Sequence, residues 1–447
     1  MKGAIKMDYK PVIGLEVHVE LKTKSKMFCS CSADYFGQEP NTHTCPVCLG
    51  LPGSLPVPNK IAIDWCLKIG IALGCKIKNF SKFDRKNYFY PDLAKGYQIS
   101  QYDMPFAEKG EVLISESKES KKIRITRVHM EEDTGKLIHS FKDSSESTLI
   151  DFNRSGVPLV EIVTEPDFES AKEVVEYLKK LQQIIRYLEV SDADMEKGEM
   201  RLEPNISLRI TSEKGLPKYK VEVKNINSFK FVEKAINYEI KRQAEILSSG
   251  KTPSQETRGW VENKQITASQ RQKEEANDYR YFPEPDIPPF SFNDVYIEDL
   301  RLTIPELPDK KVARFQKDYT LTFYDAEILT RDKKSANFYE ETVKIGLKEK
   351  IDSKKIANFL INRKIDILST EPAKIIEEIY GNKTEDIDEK ELAKILDKVI
   401  MDNTKAIDDI NAGKEEALMF LVGQVLKNAG RKIDVSLIKE KLKGKMK

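Results

Sequence analysis

Two periodicities divide the chain. In PVIGLEVHVEL apolar side chains recur at every second position, so Ile13, Leu15, Val17, Val19 and Leu21 share one face of a strand while Glu16, His18 and Glu20 share the other. MRLEPNISLRI repeats the pattern: Met200, Leu202, Ile206, Leu208 and Ile210 face inward, and Arg201, Glu203, Asn205, Ser207 and Arg209 face out. In YKVEVKN the valines alternate with Lys220, Glu222 and Lys224, and GVPLVEIVTEPD sets Glu161 inside an apolar run, on the face of Glu165. Spacings of three and four predict helices between the strands. One runs over NKIAIDWCLKIGIALG from an Asn59 cap to Gly74. A second has Ser170 and Glu173 in capping-box spacing ahead of Val174, Leu178, Leu181 and Ile185, and a third spans about Phe231 to Leu247.

Beyond the proline-rich YFPEPDIPPFSF the pattern turns almost wholly helical, as in ELAKILDKVI and EEALMFLVGQVLKNAG. The expectation is an α+β fold: an antiparallel-sheet/helix domain over residues 1–296, then two small all-helical units over 297–370 and 371–447. A chain of 447 residues has room for about two to four such domains. Charge adds little at the global level, since 74 Lys and Arg balance 73 Asp and Glu, and a nucleic-acid partner would have to be met by local patches. The start MKGAIKMDYKP is not apolar and no run of about 18 apolar residues occurs, so a cytoplasmic protein with no membrane partner is expected.

Chemistry enters through three features. Cys29-Ser-Cys31 and Cys45-Pro-Val-Cys48 form two short pairs suited to tetrahedral zinc, with His43 as an alternative ligand, whereas Cys66 and Cys75 fall in an apolar helical pattern and read as core thiols. The polar strand faces come second. A carboxylate inside an apolar strand is costly unless something positive answers it, so Glu161 calls for a metal or an arginine. A sheet face lined by Glu16, His18, Glu161, Glu203, Glu222 and Lys224, with Glu131, Glu132 and Asp133 of HMEEDTG nearby, suits a divalent cation and phosphate. Third, DRKNYFYPDLAKGYQISQYD interleaves Arg85, Lys86 and Lys95 with Tyr88, Phe89, Tyr90, Tyr97 and Tyr102, and DYRYFPEPD repeats the mixture. Such text can stack bases and hold phosphates or simply pack turns, and both readings stay open. Neither a P-loop, G-x-x-x-x-G-K-S/T, nor G-x-G-x-x-G, H-E-x-x-H or G-x-S-x-G occurs, which leaves nucleophilic hydrolysis without support.

VIGLEVHVELKTKSKMF, KFDRKNYFYPDLAKGYQISQYD, ITRVHMEEDTGK, FNRSGVPLVEIVTEPD, VEVKNINSF, NDYRYFPEPD and FLVGQVLK, in this order, closely resemble the GatB family, the B subunits of tRNA-dependent aspartyl/glutamyl-tRNA amidotransferases. The resemblance runs from about Tyr9 to the C-terminus. It implies a cradle-shaped α/β domain, a helical domain and a YqeY-like tail. It also implies an ATP- and magnesium-dependent enzyme subunit that activates the side-chain carboxylate of Glu-tRNA(Gln), Asp-tRNA(Asn) or both as an acyl phosphate, which ammonia displaces. Its partners in a heterotrimer would be the amidase (A) subunit, the small (C) subunit, plus the tRNA, which the lysine-rich C-terminus contacts in part. By similarity, magnesium positions fall on His18, Glu132, Glu161 and Glu203, with Glu16, Glu222 and Lys224 alongside, and nucleotide contacts on Arg85, Lys86, Tyr88, Tyr90 and Asn225. One departure is visible: the family's usual R-C-D-A-N reads Arg201-Leu-Glu-Pro-Asn205, so Glu203 replaces an aspartate. The four-cysteine knuckle would be structural. The competing reading is a non-catalytic, zinc-bearing tRNA scaffold, and an archaeal paralogue with an extra domain would not fit the length.

The knuckle is testable on its own. The purified protein is expected to contain about one zinc per chain, and Cys29→Ser combined with Cys48→Ser to lower both zinc content and Tm. A metal-free protein of unchanged stability would show the knuckle to be vestigial.

Overall fold

Nine strands join the alternating segments into one sheet in a computed structural model that describes residues 9–116, 119–140, 147–272, 279–363, 365–381, 387–411, 415–430, 433 and 435–445. Numbered along the chain within this sheet they are β1 (Tyr9–Glu20), β2 (Lys76–Ile77), β3 (Ala107–Glu116), β4 (Glu119–Glu132), β5 (Pro158–Thr164), β6 (Met200–Ile210), β7 (Val221–Lys224), β8 (Glu256–Val261) and β9 (Ile266–Gln272). Their spatial order is β9-β8-β7-β6-β1-β5-β4-β3-β2. The pairing is antiparallel except between β7 and β8, which run parallel. β1 therefore lies in the middle, between β5 and β6.

The two faces of β1 separate as the alternation requires: Ile13, Leu15, Val17, Val19 and Leu21 are buried in the core. Three helices cover that face. Helix α1 (Lys60–Ala72) contributes Ala62, Cys66 and Leu67, α2 (Ala171–Tyr187) contributes Val174, Leu178, Leu181 and Ile185, and α3 (Phe229–Ser248) contributes Val232, Ala235 and Ile236. The caps follow the sequence. Asn59 Oδ1 accepts from Ile61 N–H (3.0 Å), Ser170 Oγ accepts from Glu173 N–H (3.2 Å), and the Glu173 carboxylate turns back to Glu169 N–H (2.7 Å). Two details depart from simple alternation: Ser207, expected to face out, is buried and donates to Val12 C=O (3.2 Å), and Ile210 at the strand end is only half-buried.

The chain divides into two compact units, residues 1–311 and 312–447. Against expected edges at 296 and 370, helix α4 (Asp294–Leu302) places Leu300 in the first unit's core, joined by Ile304 and Leu307. In the second unit Ile375, Ile376 and Ile379 pack with Phe315, Tyr339, Val343 and Ile356 around one apolar centre. A second centre gathers Leu392, Leu396, Val399, Leu421, Val425, Ile438 and Leu442. Of the terminal lysines, Lys441 pairs with Glu389 (2.7 Å) and Lys445 with Asp397, while 446–447 lie outside the described residues.

Gly110 in β3 lies tight against the segment that leaves α1: a Cβ there would lie 2.4 Å from Cys75 Sγ and 2.6 Å from the Leu73 carbonyl oxygen. Backbone cannot yield cheaply, so Gly110→Ala is expected to destabilise the first unit by about 1–3 kcal/mol. Calorimetry would register this as a lowered Tm for one transition, and an unchanged melt would refute the close packing.

Candidate active site

The polar face of the sheet is organised by its register. His18 of β1 lies opposite Glu161 of β5, which lies opposite His129 of β4, and two residues along β1 Glu16 lies opposite Glu203 of β6. Side chains at such positions point to the same face. Two acid-rich groups result. In each, one ligand atom per residue lies within 4.8 Å of the others: His18, Glu131 and Glu161 in the first, and Glu16, Glu203 and Glu222 in the second.

The first group is the more buried. His18 Nε2 is 3.5 Å from Glu131 and 3.7 Å from Glu161, and His129 Nε2 is 3.1 Å from Glu161. Burial alone would raise the Glu161 carboxyl, but the imidazoles of His129 and His18 and the Lys86 ammonium outweigh it and hold the group well below the usual carboxylate range. The answer to the buried Glu161 is thus two histidines and a lysine. His18 Nδ1 is buried with no hydrogen-bond partner, an orphan that leaves this ring incompletely satisfied.

In the second group like charges accumulate. Burial raises the pKa of Glu16, and Glu161, Glu203 and Glu222 raise it further. Asn205 Nδ2 donates to Glu16 (3.0 Å), Thr257 of β8 donates to Glu222 (2.6 Å), and Lys224 Nζ lies 2.9 Å from Glu203 and 3.7 Å from Glu222. One ammonium among three carboxylates leaves a net negative charge. Both groups offer hard oxygen donors, and the excess negative charge of the second fits a divalent cation such as Mg²⁺. Beside Glu16 and Asn205 a cavity of about 330 Å³ opens, walled by Gly14, Pro166, Leu216, Pro217 and Tyr219, with Lys218 and Lys220 at its lining.

The other sequence-derived residues scatter. Glu132 does not join His18 and Glu161. Alternation along β4 gives His129 and Glu131 one face, and Glu132 instead accepts from Ile99 N–H (2.9 Å) and pairs with Lys95. Glu203, grouped with His18 and Glu161 on sequence grounds, stands in the second group with Glu16 and Glu222. Glu165 lies past the end of β5 and accepts from Thr126 Oγ1 (2.7 Å). Arg85 grips Glu284 through two bonds (2.7 and 2.8 Å) and covers the Tyr97 ring, tying segment 84–87 to 282–283. Lys86 packs over Tyr88 and Tyr279; burial opposes its charge, yet Glu131, Tyr281, Tyr88 and Glu161 raise its pKa. Tyr88 donates to Gln98 (3.4 Å), Tyr90 is exposed, and Asn225 sits exposed in a left-handed turn (φ 61°) just past β7. Asp278, which opens the second aromatic segment, lies outside the described residues. Glu131 enters the sequence-derived reading only as one of the three adjacent acids of HMEEDTG, and His129 and Thr257 are not assigned to the site there. The signal for the first two was the two-residue period of VHMEE, and Thr257 became visible only through the β7–β8 pairing.

The four cysteines converge as their spacing predicts: all four sulfurs lie within 4.8 Å of one another. Zn–S bonds of about 2.3 Å place sulfurs about 3.8 Å apart in a tetrahedron, and Cys45 and Cys48 are 3.8 Å apart here. The donor set fits zinc. A hydrogen bond from Cys29 pulls the Cys48 thiol down to about 4 against the cost of burial. His43, the alternative ligand, stands outside the group and uses its backbone N–H on Asn153 Oδ1 (2.7 Å). Cys66 and Cys75 are buried in the helical core.

Residues 11–298 match the family described as GatB/GatE catalytic domain, and residues 326–446 match a second, the GatB domain. Among similar proteins, the B subunit of the aspartyl/glutamyl-tRNA(Asn/Gln) amidotransferase of Thermotoga sp. is 53% identical over 341 residues, 76% of this chain and 70% of the relative. The B subunits of Thermodesulfovibrio yellowstonii and Persephonella marina are 51% and 52% identical over 373 and 371 residues, each covering 83% of this chain and 76% of the relative. With one match covering the sheet that carries the acidic groups and the other most of the helices that follow it, the chain belongs to the GatB family.

Proposed function

We propose that this chain is the subunit that activates the side-chain carboxylate of Glu-tRNA(Gln), Asp-tRNA(Asn) or both, within a tRNA-dependent amidotransferase. In the first step a carboxylate oxygen of the substrate takes the γ-phosphoryl group of ATP and ADP leaves. In the second, ammonia attacks the acyl carbon and inorganic phosphate departs, leaving the amide. The observation that carries this reading is the pair of acidic groups two residues apart on β1, in a chain whose relatives are named for amidation of these tRNAs.

Phosphoryl transfer asks for charge neutralisation and positioning rather than a covalent nucleophile. Glu16, Glu203 and Glu222 would hold one divalent cation and His18, Glu131 and Glu161 another. When bound, these ions neutralise the triphosphate. Lys224 and Lys86 give the site cations of its own, Asn205 and Thr257 orient Glu16 and Glu222, and the 330 Å³ cavity beside Glu16 is wide and apolar enough for a nucleoside. Phe89 is 89% exposed and Tyr90 54%, which leaves ring faces free to stack on single-stranded nucleotides. Ammonia would come from an amidase partner, with a small third protein to complete the assembly. In this chain, four of the six cysteines form the sulfur group and the other two are buried in the core. Among the described residues no helix is long and apolar enough to cross a membrane. A purely scaffolding role is not favoured, since it gives these like-charged carboxylates no task.

The test is amidation of Glu-tRNA(Gln) and Asp-tRNA(Asn) by the reconstituted complex, with free ammonium, Mg²⁺ and ATP. Glu161→Gln and Glu131→Gln are each expected to lower ATP-dependent product formation at least about 100-fold with tRNA binding intact. Both should also reduce the number of Mn²⁺ ions bound, which Glu132→Gln leaves unchanged. Normal amidation in Glu131→Gln and Glu161→Gln would overturn the assignment.

A further inference from the structure

Lys26 is 0% exposed, and its ammonium donates to His43 C=O (2.7 Å), Phe152 C=O (3.5 Å) and Cys48 Sγ (3.7 Å). None of these hydrogen bonds goes to a carboxylate. A lysine buried so completely against neutral carbonyls is costly unless an anion lies within reach, and the sulfur group is the one it touches. Four thiolates around a zinc ion carry a net charge of about −2, which is equally costly to bury without a counter-ion. The two costs cancel where they meet. We propose that Lys26 is the built-in counter-cation of the four-cysteine site, a residue that sets its affinity for zinc without ligating it. This rests on reading the cysteines as a zinc site.

The backbone holds the ammonium in place. Lys26 N–H donates to Cys31 C=O (2.9 Å), Asn59 Nδ2 donates to Lys26 C=O (3.3 Å), and Met27 N–H donates to Gly156 C=O (2.7 Å). Gly156, whose φ of 86° favours glycine, borders both the lysine stem and Cys48: the place of a Cβ there lies in ordinary contact with Lys26 Cδ (3.6 Å) and Cys48 Cβ (3.5 Å). The residue is thus stapled between the cysteine loop, the start of α1 and the segment that enters β5. Such a charge should act far more on the metal-loaded form, where it faces four thiolates, than on the metal-stripped one, where its removal would lose two bonds to carbonyls and one contact to Cys48 Sγ.

Lys26→Met keeps the stem and removes the charge, and Lys26→Gln keeps an N–H donor without charge. In the full-length protein, competition with a chromophoric chelator is expected to show zinc affinity lowered at least about 10-fold in both variants. The Tm of the zinc-loaded protein should fall while that of the chelator-stripped protein holds or rises. After cobalt substitution the thiolate-to-metal charge-transfer band should shift in the variants. Equal loss of Tm in both forms, with affinity and band unchanged, would make Lys26 a packing pin and overturn the proposal. A wild-type protein that binds no zinc would overturn the reading of the cysteines themselves, an outcome seen before any variant is made.

Discussion

Among the described residues most buried carboxylates are met by a cation, and much of the architecture is the means of bringing the two together. Glu173 at the start of α2 is met by Lys121 of β4, Glu284 by Arg85, and Glu239 of α3 by Arg242 and by Arg258 of β8. Asp133 lies 2.8 Å from Arg201 and 3.7 Å from Arg154, and these arginines keep it ionised despite its burial. Apart from Glu239–Arg242 within α3, these pairs join segments distant in sequence; leaving such an acid unpaired would cost several kcal/mol, so the pairings discriminate against misassembled alternatives. Of the two acidic groups on the polar face, the second is the exception. In it three carboxylates share the single Lys224 ammonium, an excess of acid that the structural ion pairs lack.

The cysteine loop is part of the same frame. Its residues bind the 152–156 segment at several points: Met27 N–H on Gly156 C=O, Cys48 C=O accepting from Ser155, and His43 N–H on Asn153. That segment leads directly into β5, and β5 carries Glu161. The four sulfurs are therefore linked through a few backbone bonds to the strand that carries Glu161 of the first acidic group.

Much of this was legible in the sequence. The alternation in β1 and β6 separated core from site almost residue by residue, and the Asn59 and Ser170 caps placed two helices. What stayed hidden depended on pairing. Glu131 and Glu132 are adjacent acids in a run of polar text, and only the phase of β4 decides which one meets His18. The partners of Glu161 could not be named because His129 meets it only through the register of β4 against β5. Arg85 read as a nucleotide contact because its cationic, aromatic setting was visible while the buried Glu284, far along the chain, was not. The edge of the first unit shifted for a related reason: proline-rich text signals a turn, but the apolar stripe of α4 decides which core the following helix joins.

β1 supplies one residue to each acidic group, and the groups fan out from it in opposite directions, one toward β5 and β4, the other toward β6 and β7. The strand is a common axle. Its angular setting is secured on the far side, where Ile13, Leu15, Val17 and Val19 lock into the helices, so a slip of one residue would rotate valines and leucines into both groups at once. Methyl groups on the far face therefore act as the alignment gauge for both acidic groups, and a packing fault in the core would disturb the two together rather than one at a time.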